Sequence, residues 1–254
     1  MIQGKKVIVI MPAYHAAKTL ERTYQDIPKD LVDEIILVDD ASKDNTVEIA
    51  QRLGLRIIAH SINSGYGANQ KTCYLEALKH NADVVVMIHP DYQYDATKLP
   101  QMVEPIIQGK ADAVFGSRML GEGALKGGMP VWKFIANKFL TWAENTVFGR
   151  HLSEYHTGLR AYSRKFLDEI SWYECSNDFV FDTEIVAQAV AHDFKIDEIG
   201  IPTRYFEEAS RINFINSSIY GLKTLNTLRK FLFWKWGIKK YPLFKRSTHI
   251  ASSC

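Results

Sequence analysis

An α/β fold, with a mostly parallel central sheet flanked by helices, is predicted by three features of the 254-residue chain. Short β-branched runs alternate with longer stretches of helical periodicity. Their βαβα order implies parallel neighbours with helices on both faces. Residues of unusual chemistry gather just past the runs, where open α/β sheets place their ligands.

The N-terminus, MIQGKKVIVIMPAY, passes from two lysines into a short apolar run and reads as a first strand, Val7–Met11. It is too short, and lacks the small-residue cleavage site, for a signal peptide. Further strands are predicted at Glu34–Val38, Leu55–Ala59, Val84–Ile88 and Ala113–Gly116. The intervening helices are Ala16–Asp26, Asn45–Leu53, Gly67–His80 and Lys98–Gln108. The Asp44 carboxylate can cap the second helix, and Gly54 follows its end, where a left-handed residue is cheap. The second half is less regular. Helices are expected over Val131–Val147 and Phe179–His192, a strand over Ile196–Ile201, and a long amphipathic helix over Ile215–Trp236. Lys239–Cys254 remains as a basic, then polar, tail.

Apolar residues make up 46% and charged residues 24%, a globular balance that excludes a disordered or fibrous chain. Three scattered cysteines form neither a disulfide framework nor a zinc set. The longest uncharged stretch, Ile57–Gln70, is interrupted by polar residues and is too short to span a bilayer. The compartment expected on these grounds is the cytoplasm. Charge is unevenly spread: no acid follows Glu208, while residues 209–254 carry nine lysines and arginines. Phe214, Tyr220, Phe231, Phe233, Trp234, Trp236, Tyr241 and Phe244 are interleaved with them. Such a mixture suits an anionic membrane surface; the plainer reading is a C-terminal helix packed on the body with a solvated basic face. Nucleic acid is the least favoured partner.

Four strand ends could carry chemistry. Asp39 and Asp40 can accept hydrogen bonds from a ribose or base, help to hold a cation, or simply build a turn with Ser42. In His89-Pro90-Asp91-Tyr92-Gln93, Asp91 offers a hard oxygen suited to Mg²⁺ or Mn²⁺, Gln93 a carbonyl oxygen and His89 a nitrogen. Arg118 and Arg160 could clamp phosphate with a bidentate fork, or serve as ion-pair partners. Gly65-Tyr66-Gly67 lacks the third glycine of a dinucleotide fingerprint and reads as a tight helix entry. No Walker loop, His-Glu-x-x-His or Gly-x-Ser-x-Gly occurs.

Together, Met11-Pro12-Ala13-Tyr14, Val38-Asp39-Asp40-Ala41-Ser42-x-Asp44-x-Thr46, Asn63-x-Gly65-x-Gly67 and His89-Pro90-Asp91-x-Gln93 resemble family 2 glycosyltransferases of the GT-A fold. The likeness is to the dolichyl- or polyprenyl-phosphate sugar synthases in particular. It continues through Gly116-Ser117-Arg118, Pro130-x-x-Lys133-x-x-x-Asn137, Glu154-x-x-Thr157-Gly158-Leu159-Arg160-Ala161-Tyr162, Phe181-Asp182-Thr183-Glu184 and Glu198-Ile199-x-Ile201-Pro202. Ala16, His89, Lys133 and Glu154 depart from the residues usual at their positions: glutamate, aspartate, arginine and aspartate.

The resemblance implies a GT-A catalytic domain over 1–210, with a donor half of about 1–118 and an acceptor half of about 119–210; 211–254 would be a basic amphipathic appendage. It places Pro12, Tyr14, Leu37, Asp39 and Asp40 at the nucleotide of a UDP- or GDP-linked sugar. His89, Pro90, Asp91 and Gln93 fall at metal and diphosphate, with Asp91, Gln93 and His89 as metal ligands. Arg118, Arg204 and Arg211 would meet phosphates, and Lys133, Asn137, Thr157, Arg160 and Glu184 the acceptor. Asp91, Arg118 and Glu154 would carry catalysis. The implied reaction is inverting transfer of a sugar to a polyprenyl phosphate by an enzyme lying on the cytoplasmic face of a membrane, as a monomer or an oligomer. The rivals are a soluble transferase acting on a saccharide hydroxyl, with Glu154 or Glu184 as base, and a non-catalytic binding module.

Overall fold

The computed structural model describes residues 1–120, 123–206 and 214–247. Arg211 and the polar end of the tail lie outside the described residues. Among the described residues, no helix is long and apolar enough to cross a membrane.

Seven strands form one sheet: β1 (Val7–Ala13), β2 (Glu34–Asp39), β3 (Arg56–Ala59), β4 (Val84–Met87), β5 (Ala113–Ser117), β6 (Arg160–Ser163) and β7 (Ile196–Gly200). Their spatial order is β3-β2-β1-β4-β6-β5-β7. β6 runs antiparallel to β4 and β5, while the other pairings are parallel. The helices are α1 (Leu20–Asp26), α2 (Thr46–Arg52), α3 (Tyr66–Lys79), α4 (Leu99–Ile107), α5 (Gly123–Lys126), α6 (Val131–Phe148), α7 (Arg164–Glu169), α8 (Phe181–Ala191) and α9 (Phe214–Lys235).

The central strands are buried on both faces, and their side chains alternate between two cores. Ile8 and Ile10 of β1, with Val85 and Met87 of β4, join Tyr74, Phe181 and Phe231 on one side. Val7, Val9 and Met11, with Val84 and Val86, join Leu20, Leu99 and Val103 on the other. This two-sided burial is why both strands read as continuous apolar runs.

Most predicted elements fall within a few residues of their observed limits. The first helix begins at Leu20 rather than Ala16, because the N–H groups of Ala16 and Ala17 are taken by Thr46 and Asp44 side chains across the β2 loop. Gly54 takes φ +69°, as its position suggested, whereas the second helix is capped at Asn45 without a side-chain bond and Asp44, one place earlier, accepts from the Thr46 N–H. β6 was not anticipated. It is four residues long and carries an inward-pointing arginine, which breaks the apolar pattern.

The expectation of an exposed aromatic tail needs correction. Phe231 and Phe244 are buried, and Trp234 and Tyr241 pack beside them against the main core. Tyr220 hydrogen-bonds His156. Of the aromatic side chains described between 216 and 247, Trp236 is the one most exposed, at 62%. The plainer reading, a packed helix with a basic outer face, accounts for most of this segment.

Candidate active site

The carboxyl ends of β1, β2, β4 and β5 lie along one rim of the sheet, opening on a cleft of about 690 Å³. Two loops at this rim are latched together by side chains. Ser42 Oγ accepts from the His15 N–H (2.8 Å), Thr46 Oγ1 from the Ala16 N–H (2.8 Å) and Asp44 from the Ala17 N–H (3.2 Å). The acidic and hydroxyl spacing after β2 therefore holds the Tyr14 turn in place, leaving Tyr14 53% exposed at the cleft mouth. Asp40 does similar work on the next loop. It accepts from the N–H groups of Ser64 (2.8 Å) and Gly65 (2.9 Å) and meets His60 Nδ1 at 2.8 Å.

Gly65 has φ +96°, and a Cβ there would lie 2.5 Å from the Asn177 carbonyl oxygen; one on Gly67 would lie 2.2 Å from that of Ser176. Only glycine lets α3 start this close to the segment before α8. That approach puts Tyr66 against Asp182: the hydroxyl donates to Oδ2 at 2.7 Å, and Gln70 donates to Oδ1 at 3.1 Å.

After β4, the His89 ring stacks on Tyr66, with centroids 5.4 Å apart and Nε2 3.2 Å from its hydroxyl. Burial lowers the His89 pKa to about 4, so the ring is neutral. Thr19 Oγ1 ties the turn down by donating to the Pro90 carbonyl at 2.6 Å. Asp91 accepts the Gln93 N–H at 3.1 Å. Burial pushes the Asp91 carboxyl up to about 7, outweighing that bond and the distant charge of Arg118.

Across the cleft, Arg118 is gripped by Glu154. The Glu154 carboxylate accepts from the Arg118 main-chain N–H (2.7 Å), its Nε (2.8 Å) and its Nη2, and from Asn137 Nδ2 at 2.8 Å. Arg118 also donates to the Tyr205 hydroxyl (3.0 Å) and the His156 carbonyl (2.6 Å). Burial works against the Glu154 charge, but the guanidinium and these bonds prevail and hold its carboxyl below the usual range. Burial opposes the Arg118 charge too, and Glu154 more than restores it.

The cleft wall includes Pro12, Tyr14, Asp40, His89, Pro90, Asp91, Gln93 and Arg118 from the donor set, and Lys133, Asn137 and Thr157 from the acceptor set. Other expected residues lie elsewhere. Leu37 is fully buried in the core, as the strand's alternation requires. Asp39 is buried beside the rim; one carboxylate oxygen accepts from the Ser42 N–H (2.9 Å), and the other has no hydrogen-bond partner. Arg160 is fully buried behind the wall. It donates to the carbonyls of Thr157 (2.8 Å) and Tyr155 (2.7 Å) and lies 3.6 Å from Asp182. It braces the wall, contrary to the acceptor role expected of it. Glu184 faces Ser176 and Lys230, not the cleft, and Arg204 pairs with Asp26 at 3.2 Å over the Tyr92 ring. Glu154 stands behind Arg118 and holds it.

Sequence reasoning passed over Tyr66, His156, Asp182, Tyr205 and Tyr220. Asp182 lay inside a recognised motif, two places before the glutamate chosen instead. Tyr205 and Tyr220 carried no local signal; loop and helix packing brings them in.

The donor set fits a divalent cation in part. Among the described residues the half-buried Asp91 carboxylate accepts a hydrogen bond from its own loop alone, and its charged form would gain from a nearby cation. His89 does not fit. Its ring stacks on Tyr66, with Nε2 toward that hydroxyl, and its Nε2 edge lies against Gly158. Among the described residues, no group of three His, Cys, Asp or Glu side chains could hold a metal by itself. A cation here would draw its remaining oxygens from a ligand, as Mg²⁺ does at diphosphates.

The chain is 28% identical to the UDP-N-acetylglucosamine–dolichyl-phosphate N-acetylglucosaminyltransferase of Methanococcus voltae over 220 residues, 80% of this chain and 87% of that one. It is 29% identical to the dolichyl-phosphate hexose transferase of Haloferax volcanii over 198 residues, 77% and 82% of the two chains. In structure it resembles the glucosyl-3-phosphoglycerate synthase of Mycobacterium tuberculosis, crystallised with Mn²⁺, UDP-glucose and glycerol 3-phosphate. The TM-score is 0.67 at 18% identity, covering 93% of this chain and 82% of that one. That likeness shows the fold, GT-A, as expected. The pattern of Glycosyl transferase family 2 matches residues 8–171, well over half of the chain, which therefore belongs to that family and is a glycosyltransferase.

Proposed function

We propose that this enzyme transfers a sugar from a nucleoside diphosphate, with UDP favoured over GDP, to the phosphate of a polyprenyl lipid, with inversion at the anomeric carbon. The observation that carries the acceptor is the state of the acids around the cleft. Asp40 is committed to Ser64 and Gly65, Asp182 to Tyr66 and Gln70, and Glu154 to Arg118 and Asn137. A sugar hydroxyl needs a base to take its proton. A phosphate monoester is already ionised at neutral pH and needs only orientation and partial screening. The names of the two archaeal relatives, both acting on dolichyl phosphate, support the same reading.

The donor half, about 1–118, would bind the nucleotide at the Tyr14 turn. Asp39, with its unpartnered buried oxygen, stands next to it to receive a donor group from the base. A divalent cation, Mg²⁺ or Mn²⁺, would be held by Asp91 with Gln93 beside it, and would neutralise charge on the departing diphosphate. Arg118, fixed by Glu154 before substrate arrives, supplies preorganised positive charge where that negative charge grows. Lys133, His156 and Tyr220 line the acceptor half, about 119–210 and the start of α9, and would orient the attacking phosphate.

A second reading, attack by a saccharide hydroxyl, is favoured by Asp91 alone, whose pKa near 7 suits a base when no cation binds it. One experiment separates the two: turnover of UDP-sugars with Mn²⁺ on a short-chain polyprenyl phosphate against free mono- and oligosaccharides. Transfer to the lipid phosphate is expected. Transfer to sugars alone overturns the lipid acceptor.

A further inference from the structure

Helix α6 has two faces of different kinds. One carries Trp132, Lys133, Asn137 and Leu140 into the cleft wall. The other exposes large apolar side chains in register at helical spacing: Val131 (65%), Ile135 (62%), Phe139 (55%) and Trp142 (64%). The Phe139 and Trp142 rings lie 6.1 Å apart and form the centre of the patch. Soluble surfaces seldom leave such a row uncovered. Helix α9 packs along α6, with the Phe148 and Phe231 rings 5.0 Å apart, and it too exposes Ile219, Leu222 and Leu225.

The charges carried by the two helices themselves are one-sided. The single acid of α6, Glu144, is fully buried, and α9 contains none. Lys126 and Lys138 are exposed on and beside α6, and Lys223 is exposed on α9, where it pairs with Asp178. An aromatic and aliphatic ridge flanked by lysines matches the interface of an anionic bilayer, where rings sit among headgroups and ammonium groups meet phosphates. It suits a second copy of itself less well: across a two-fold contact neither α6 nor α9 offers an exposed acid of its own to meet Lys138.

We propose that the outer face of α6, continued by α9, is the surface on which the enzyme seats itself on an anionic lipid membrane. The cleft then opens one helix width from the headgroups, so a lipid phosphate can enter it without leaving the bilayer. This places the contact on α6, ahead of the basic tail to which composition had pointed. The proposal rests on the lipid-phosphate reading, and its test is independent of turnover on lipid.

The test is cosedimentation of the full chain with vesicles of phosphatidylcholine containing about one third phosphatidylglycerol, with no donor or acceptor present. Phe139→Ser with Trp142→Ser should weaken partitioning about tenfold or more, and salt should weaken wild-type partitioning. Both side chains point away from the cleft, so thermal stability and turnover on a water-soluble short-chain acceptor should match wild type. Wild-type protein that ignores vesicles, or a double variant that partitions as wild type, overturns the proposal and leaves the acceptor reading to the soluble assay. A double variant that turns a wild-type dimer into a monomer, with unchanged vesicle binding, overturns it in favour of self-association.

Discussion

The carboxylate of Glu154 is spent on Arg118: it takes the arginine's main-chain N–H at 2.7 Å and its Nε at 2.8 Å, and it is wholly buried in doing so. This fixes the guanidinium against the cleft before any substrate binds, and it removes the glutamate from acid–base chemistry. Glu154→Gln keeps the shape and loses the charge. It should lower kcat about 10- to 100-fold with a smaller change in donor KM, because loosened Arg118 serves the transition state more than the ground state. The acidic limb of the pH–rate profile should stay where it is. A limb that disappears in Glu154→Gln would make Glu154 the base.

The same pair sets a stability window. Glu154 titrates below its ordinary range in the folded protein, so its contribution is fully present above the unfolded value and is lost as pH falls through the folded one. Acid unfolding of the wild type should therefore be steeper than that of Glu154→Gln, which starts lower by about 3 kcal/mol because it leaves a buried arginine unpaired. Denaturant titrations at stepped pH measure both.

Asp91 behaves in the opposite sense. Its folded pKa is raised to about 7, so burial favours the protonated form, and stability falls as pH rises from the ordinary carboxylate range through neutrality. Without cation, Asp91→Asn should be more stable than wild type at pH 8 by about 1–2 kcal/mol, a figure reduced from the full shift because the cleft admits water. The two should coincide at pH 4. With Mn²⁺ and UDP, the wild type should gain melting temperature and Asp91→Asn should not. A variant that keeps the metal-dependent gain would move the cation away from Asp91.

The positions of the site were legible in the sequence to the extent that they follow strands. Tyr14, Asp40, Asp91 and Arg118 each come at or just past the end of a strand, and parallel order alone sends those ends to one rim. What a side chain touches there was not legible. Arg118 and Arg160 look alike in sequence, yet one enters the cleft and the other is fully buried, because Arg118 follows the end of β5 whereas Arg160 lies within β6, paired with Met87 and Phe115 and with its guanidinium over the Phe115 ring. Ser42, Asp44 and Thr46 could be recognised as a motif, but their work as a loop latch appears only when two distant loops are seen together. The aromatic tail misled for a related reason: composition counts rings and cannot tell packed Phe231 and Phe244 from exposed Phe139 and Trp142.

Arg160 offers a direct test of that distinction. As a brace, it holds the Tyr155 and Thr157 carbonyls and lies near Asp182. Arg160→Met should cost about 3–5 kcal/mol, since a buried partner is left without its cation. Arg160→Lys keeps the charge, loses the fork, and should cost less. In Arg160→Lys, assayed well below its melting temperature, acceptor KM should remain within about twofold of wild type, as expected of a group that never meets the ligand. A tenfold rise in acceptor KM at unchanged stability would return Arg160 to the acceptor site.

Gly158 decides where His89 can sit. A Cβ built on it would lie 2.3 Å from His89 Cδ2 and 3.1 Å from Tyr94 Cε2, and its N–H donates to the Tyr94 hydroxyl at 2.8 Å. The glycine cannot retreat without breaking that bond, so in Gly158→Ala the imidazole must move. Displacing it disturbs its contact with the Tyr66 hydroxyl and the turn that presents Asp91 two residues later. A loss of about 1–3 kcal/mol is expected from overpacking, with a larger proportional loss of turnover than of fold. His89→Ala removes the obstacle. In the double variant, the Gly158→Ala penalty should shrink to a few tenths of a kcal/mol, a coupling that a double-mutant cycle reads directly. If Gly158→Ala costs the same with and without His89, the contact is not what requires glycine here.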